Sequence, residues 1–533
     1  MASTRKPSKE ELLVRNFIAR LCFSASVLLL SGTAVVSAQT SATPTPAAAP
    51  VAPAANPVKL SGNLRAFYFT RTNSAPCSVT LNKNQCNAAA FNLGGKIHGD
   101  YQFAKTPWSL GASFFGAEPF NGNGTSPGFN PRIDNSLPGN EIAVLGEGYL
   151  QYKNKYATGQ IGREIINTPW ANASDSRMTP SSFQGAWLAG NVSPTLTLAG
   201  YYMTRFRART TSGFYNDTLL TSCHQQNPVL YYPGGVTQVL AGVDPCVAPS
   251  NTYVNRATRG FGMLQVTKKF NPTWVANAYY YNVADVVNII HLDTKYNFIP
   301  KSSTNPYLAA QYIAESDTGR AQIGIVHAHM LGLQYGQSVG KNVDVAFSYN
   351  QSPQTLYTTT NCGGPTVASS TGVFGGTAGN AVAGAPAGTV YCYGGGIASP
   401  YTDSYATDPL FTTSISQGLA DVHKPGSGLK AQFTFQTNNK RFKAIISGAQ
   451  YYYGLPVAFP GAPAGNLANA VDNRKELNVD VQYFLNAVDP KKPYHGFSIR
   501  QRYVDRFQYF GGGATASSNG DFKYNRTQLE YTF

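Results

Sequence analysis

The sequence predicts an all-β fold, a transmembrane antiparallel β-barrel of eighteen strands with long extracellular loops and short periplasmic turns. Three observations carry that prediction. Charged residues make up only 13% of the 533 residues, against about a quarter in ordinary domains, while Tyr (33), Phe (29) and Gly (52) are abundant. After the N-terminus no apolar run approaches the roughly 20 residues of a spanning helix, and mean hydropathy is -0.22, so a helical membrane protein is excluded. Finally, apolar and polar residues alternate with period two from Val58 to Phe533, and the connections alternate between short and long. In lipid every backbone group must be paired, which a sheet achieves only by closing on itself.

Residues 1–38 read as a signal peptide. Arg5, Lys6, Lys9, Arg15 and Arg20 precede the apolar "LCFSASVLLLSGTAVV", and Val36-Ser37-Ala38 supplies small residues for cleavage. Residues 39–57, "QTSATPTPAAAPVAPAANP", are too rich in Pro, Ala and Thr to bury a core and read as a periplasmic tether. The barrel is assigned to residues 58–533. Cleavage removes five basic residues against Glu10 and Glu11, so the mature chain stays basic.

Within the barrel, "FAKTPW", "KNKY", "VSPT", "KFNPTW", "GKNVD", "TNNKR" and "DPKKPY" are the tight turns, and residues 118–141, 165–182, 208–256, 351–426 and 454–472 are long loops. An even strand count suits a bacterial single-chain barrel. With the N-terminus periplasmic, Cys77 and Cys86, Cys223 and Cys246, and Cys362 and Cys392 fall in the first, fourth and seventh external loops. An exported chain oxidises its thiols, so three disulfides within loops are expected. The last strand, "YNRTQLEYTF", sets Leu529, Tyr531 and Phe533 on one face and Arg526, Gln528 and Glu530 on the other. Its terminal aromatic resembles the signal read by the barrel-assembly machinery.

Parity then separates lipid from lumen. In "GFSIRQRYVDRFQYF", Phe497, Ile499, Tyr503 and Phe507 face lipid and Arg500, Arg502 and Arg506 line the pore. Gln501 and Asp505 interrupt the outer face and are expected near a rim or at a register irregularity. In Leu477 to Leu485 the even residues Asn478, Asp480, Gln482 and Phe484 point inward. Likewise Lys430, Gln432 and Thr434 turn inward between Leu429 and Phe435, and Lys443 joins them by parity. From Thr195 to Arg207 the expectation is Leu196, Leu198, Tyr202 and Phe206 outside, Arg205 and Arg207 inside.

Other motifs yield to ordinary readings. "GQSVG" at 336–340 matches a nucleophile elbow but leads into a strand, so it is a turn. His327 and His329 lack a third ligand, no metal or cofactor is expected, and the glycines of "TGVFGGTAGNAVAGAPAG" suit a flexible loop. The arginines sit singly on strands rather than in a solvated patch, which argues against nucleic acid.

The segment "GREIINTPWANASDSRMTPSSFQGAW" resembles the third-loop region of the OprD-type outer-membrane porins, substrate-specific channels for carboxylates and amino acids. "LSGNLRAFYFTR" is similar to that family's first strand, "HGFSIRQRYVDRF" to its penultimate one, and "FTTSISQGLADVHKPGSGLK" adds to the likeness. The resemblance implies a barrel, monomeric or trimeric, whose third and seventh loops fold inward. It also implies a ladder of lumenal basic residues, carried onto Arg65, Arg500 and Arg502, to which parity adds Arg205, Arg207, Lys430, Lys443 and Arg506. Asp175, Ser176 and Arg177 become constriction-loop residues, with Asp403 and Asp408 as acidic contributors from the seventh loop. The expected function is passive uptake of small anionic or zwitterionic solutes, organic acids or amino acids, across a bacterial outer membrane. The rivals are a non-selective general porin and a barrel-anchored enzyme or adhesin, and no convergent nucleophile, base and orienter favours an enzyme.

Overall fold

The computed structural model describes residues 58–73, 87–120, 137–221, 257–299, 304–359, 371–372, 376–381, 385–402, 407–422, 425–453, 472–485, 496–510 and 522–533. The signal peptide, the tether, Asp403 and every cysteine but Cys392 lie outside these residues. Cys392 is buried and disulfide-bonded, so its partner also lies outside them.

An eighteen-stranded antiparallel sheet closes on itself. Each strand pairs with the next barrel strand in sequence, and the last, Phe522–Thr532, returns to the first, Val58–Asn73. Backbone hydrogen bonds of 3.0 and 3.1 Å between Gly62 and Phe533 finish the seam. Closure leaves no free edge, which is what lets so tyrosine-rich a sheet sit in lipid. Alternation is visible in the burial: on Trp108–Pro119 the residues Trp108, Leu110 and Phe114 are exposed outward while Ser109, Ser113 and Phe115 are buried inward. Outward rings pack in pairs near the strand ends, edge-on for Trp108 and Tyr152 at 4.9 Å and stacked for Phe270 and Trp274 at 4.2 Å, and form the aromatic girdle of a membrane barrel. Closed, belted in apolar residues and girdled, the barrel belongs in a bacterial outer membrane.

Three expectations change. The pairing of Ser182–Ser193 with Leu196–Arg207 contains a bulge that leaves Thr204 unpaired, because Gln184 opposes Arg205 and Gly185 opposes Met203. An extra residue reverses parity beyond it. Phe206, expected outside, is therefore buried against Phe183 and Tyr401, and Arg205, expected inside, is exposed. Second, the pairing of Gly496–Phe510 with both neighbours is regular, and Gln501 lies opposite Val481 in mid-strand, so neither a rim nor a slip explains Gln501. Third, part of the glycine-rich seventh loop forms a four-stranded sheet that includes Thr371–Gly372 and Gly376–Ala381. Val390–Gly394 is its central pairing partner and carries the disulfide-bonded Cys392.

Candidate functional site

The third external loop, residues 165–181, makes contacts on two opposite walls. At one end the Thr-Pro-Trp break closes a tight turn, with the Thr168 amide and hydroxyl donating to the Ala171 carbonyl at 2.9 and 2.8 Å. This drives Trp170 against Trp274–Val283 and Val287–Asn297, where its Nε1 donates to His291 Nδ1 at 3.1 Å and its amide to the Tyr281 hydroxyl at 3.3 Å. At the other end, Arg65 Nη2 donates to Asp175 Oδ2 at 3.0 Å, its Nη1 makes a second, shorter contact with Asp175 Oδ1, and Nη1 also reaches the Arg177 carbonyl at 2.9 Å. Arg526 Nη1 donates to the Ser176 carbonyl at 2.7 Å. Arg65 and Arg526 stand on the first and last strands. In a closed ring of eighteen, the ninth and tenth strands are half a circuit from that seam, so the loop crosses the lumen.

The sequence between these anchors suits a sharp crossing. Ser174 adopts a positive φ of 44°, and the Asn172 side-chain oxygen accepts its amide at 2.9 Å, an Asx-type turn. Burial alone would raise the Asp175 carboxyl, but the charge and hydrogen bonds of Arg65 outweigh it and hold the group below its ordinary value of 3.8.

The seventh loop lies against the third. Ala171 bridges Tyr401 in parallel, Asn172 Nδ2 donates to the Thr407 carbonyl at 2.8 Å, and Tyr401 packs on Phe183, Phe206 and Phe261. Buried wall carboxylates hold this loop from two sides: Glu315 accepts the Ala398 amide at 2.6 Å, and Glu476 accepts the Ser416 amide at 3.0 Å and its hydroxyl at 2.5 Å. Lys430 donates to the Thr413 carbonyl at 2.7 Å, while Asp408 accepts the Leu410 amide at 3.0 Å and the Thr413 hydroxyl. Lys430 and Asp408 thus shape the loop's inward fold.

Beside the seam stands a wall of guanidinium groups. Arg500 reaches Asp480 with Nε at 2.7 Å and Nη2 at 2.6 Å, and Arg502 binds the same carboxylate at 2.9 and 2.7 Å. Two expected rungs therefore share one negative charge. Arg506 donates to the Ser416 carbonyl at 3.3 Å and lies over the Phe522 ring at 5.3 Å. Lys443 sits across from Gln482 on the inward face. Arg207 is fully buried among Ser182, Thr179, Pro180 and Thr211, over Phe115, where it braces the loop entrance.

Arg526 was absent from the expected ladder although parity had already turned it inward. It lies directly across from Arg502, packs over the Phe67 ring at 5.2 Å and is 1% exposed. Its Nε and Nη2 make no hydrogen bond among the described residues. Asp480 was likewise read as inward, but its role depends on register, which a single strand does not reveal. Around the seam Arg65, Arg177, Arg209, Arg500, Arg502, Arg506 and Arg526 outnumber the carboxylates of Asp175, Asp480, Glu476 and Glu530. The opposite wall is aromatic: Trp187 stacks on Tyr201 at 5.7 Å, and Tyr279 meets Tyr281 and His291 at 6.5 and 5.7 Å.

This architecture has counterparts among solved structures. OccAB2 of Acinetobacter baumannii aligns with a TM-score of 0.60 and 15% identity, covering 89% of this chain and 98% of that one. OpdL of Pseudomonas aeruginosa aligns at 0.55 with 14% identity, over 89% and 98% of the two chains. The chain has the fold of the OprD-type porins. OpdK of Pseudomonas aeruginosa, solved with vanillate, aligns at 0.57 with 12% identity over 89% of this chain and 98% of OpdK. No family model and no curated protein matches the sequence.

Proposed function

We propose that the chain is a passive outer-membrane channel for small solutes bearing a carboxylate. The observation that carries this reading is the row of guanidinium groups at the foot of the loop that crosses the lumen: Arg526, whose Nε and Nη2 make no hydrogen bond among the described residues, stands across from Arg502, and Arg500 beside them is partly open to the lumen. A buried polar group without partners is costly, and a planar carboxylate matches the guanidinium fork. Repeated arginines offer successive sites, so a solute is handed along rather than trapped. The aromatic wall of Trp187, Tyr201 and Tyr279 favours a planar ring at the other end of the solute. The OprD-type fold, and the vanillate in the OpdK structure, are in keeping with this reading.

One observation favours a general porin instead: Asp480 cancels part of the charge of Arg500 and Arg502. Flux into proteoliposomes separates the two. A carboxylate channel passes benzoate faster than an uncharged aromatic alcohol of the same size, and the Arg526→Ala variant narrows that ratio. Equal rates in the wild type would favour the general porin.

A further inference from the structure

The bulge at Thr204 turns Arg205 outward, into line with Gln184 and Arg163, successive register partners on the two preceding strands. All three share a face with Ile161, Leu188 and Tyr202, which are exposed to lipid. Arg205 stands near the end of the strand that leaves the periplasmic turn at Leu196, and a spanning strand takes about 9–11 residues, so the patch lies at the outer edge of the belt. Ladder rungs run across strands that tilt by about 35–45°, so each step to a neighbouring strand changes the height by roughly 3 Å. The three side chains thus fall within roughly 6 Å of depth, about one headgroup layer.

What distinguishes this patch is its want of countercharge. Among the described residues Arg205 makes no hydrogen bond or ion pair, while Arg163 reaches only the Leu145 carbonyl, at 3.4 Å, and lies over the Phe214 ring at 4.5 Å. Other exposed cations at the extracellular strand ends differ. Lys523 has Asp505 at 3.5 Å, Arg320 has Asp285 at 3.2 Å, and Lys475 is one cation between Gln450 and Phe507. Between the two arginines, Gln184 Oε1 is buried and accepts no hydrogen bond among the described residues. An acceptor so placed calls for a donor from outside the chain. A bulge interrupts the ladder and occurs where a side chain is re-aimed. Here the Thr204 hydroxyl, donating to the Gln184 carbonyl at 3.2 Å, offsets part of that loss, and what is re-aimed is a cation.

We propose that this patch seats the phosphorylated sugar headgroup of a glycolipid in the outer leaflet. The guanidinium forks take phosphate oxygens, which their planar geometry suits. Arg163 and Arg205 stand two strand spacings apart, roughly 9–10 Å at the backbone, so the headgroup must offer oxygens over more than the width of one phosphate. A sugar does so, and its hydroxyl or amide N–H gives Gln184 Oε1 the donor it lacks. Below the headgroup, Ile161, Leu188 and Tyr202 meet the acyl chains. The site is on the outer face and is separate from the solute path.

The test uses the purified full chain, delipidated in detergent and titrated with lipid A, with native mass spectrometry for binding and heat-shifted gel mobility for folding. Arg163→Ala with Arg205→Ala is expected to bind lipid A about a hundredfold less tightly, from about tenfold for each charged hydrogen bond. Its ion selectivity should match wild type, since no lumenal group is touched. Gln184→Leu is expected to weaken lipid A severalfold and to leave phosphatidylglycerol unaffected. Lipid A stripped of its phosphates should bind wild type no better than intact lipid A binds the double variant, an arm that needs no substitution. Excess inorganic phosphate or phosphatidylglycerol should leave lipid A in place. Displacement by inorganic phosphate would mark a site for a free anion, and displacement by phosphatidylglycerol a surface for any acidic lipid. Either displacement, full binding of the dephosphorylated lipid, or equal lipid A affinity in wild type and the folded double variant would overturn the proposal.

Discussion

Asp175→Ala tests whether the crossing loop is held where the structure puts it. The substitution removes the carboxylate that Arg65 grips through both terminal nitrogens, but Arg65 keeps Glu530 at 3.1 Å and the Arg177 carbonyl at 2.9 Å, so no charge is orphaned. Asp175 is 31% exposed and Arg65 only 8%, which places the pair between the 0–1 kcal/mol or so of a surface bridge and the roughly 3–5 kcal/mol of breaking a buried one. About 2 kcal/mol is a reasonable loss, and at about 1.4 kcal/mol per tenfold it raises the population of released loop by about thirtyfold. Single-channel recording at neutral pH should show brief high-conductance events about that much more often, with the barrel still folded. Asp175→Asn, which keeps an acceptor, should fall between. The pH dependence follows from the depressed titration of Asp175. The anchoring is fully present above its ordinary value of 3.8 and is lost as pH falls further, through the lowered value, so wild type should show the same events only in strong acid. Event statistics identical to wild type in Asp175→Ala would refute the reasoning and place the loop's hold elsewhere.

Other outcomes follow from the same contacts. Asp480→Asn leaves Arg500 and Arg502 without their shared counter-charge, so anion selectivity should rise in a salt-gradient reversal potential, while urea unfolding in detergent should show a loss of about 3 kcal/mol. Trp170→Ala removes the opposite anchor on His291 and Tyr281 and should raise mean conductance without changing ion selectivity, because no charge is lost. Non-reduced peptide mapping should find Cys392 joined to Cys362, Cys77 to Cys86, and Cys223 to Cys246. Pairing across loops would contradict the loop assignment.

The barrel was legible because a membrane wall repeats its chemistry on every strand. Period-two alternation, alternating connection lengths and the terminal "LEYTF" each report closure independently, and the strand number and the inward parity of Arg500, Arg502 and Arg506 followed. What stayed hidden depends on contacts between strands. The Thr204 bulge, which sends Arg205 out and Phe206 in, has no Gly or Pro on its own strand to announce it. The Asp480 bridge needs the register that sets Asp480 against Arg502, and parity alone left Arg526 as a wall residue among many. Lys430 and Asp408 looked like members of the solute path until loop carbonyls, amides and hydroxyls turned out to occupy them. The order in the seventh loop is set by pairing across its own glycine-rich stretch, which composition reads as flexible.

The reversal potential of the Arg502→Ala, Arg526→Ala double variant in a planar bilayer under a salt gradient tests the central claim most directly. Fixed charge in a narrow lumen is screened over about 8 Å at physiological ionic strength, so the recording belongs at low salt. The wall of arginines predicts a wild-type channel that prefers anions, and a double variant shifted toward cations whose benzoate flux falls more than its flux of neutral sugars of similar size. A matching variant with Lys at both positions should keep the ion preference and lose part of the carboxylate preference, since Lys lacks the planar fork. A folded double alanine variant with wild-type ion selectivity and an unchanged benzoate-to-sugar ratio would contradict the account.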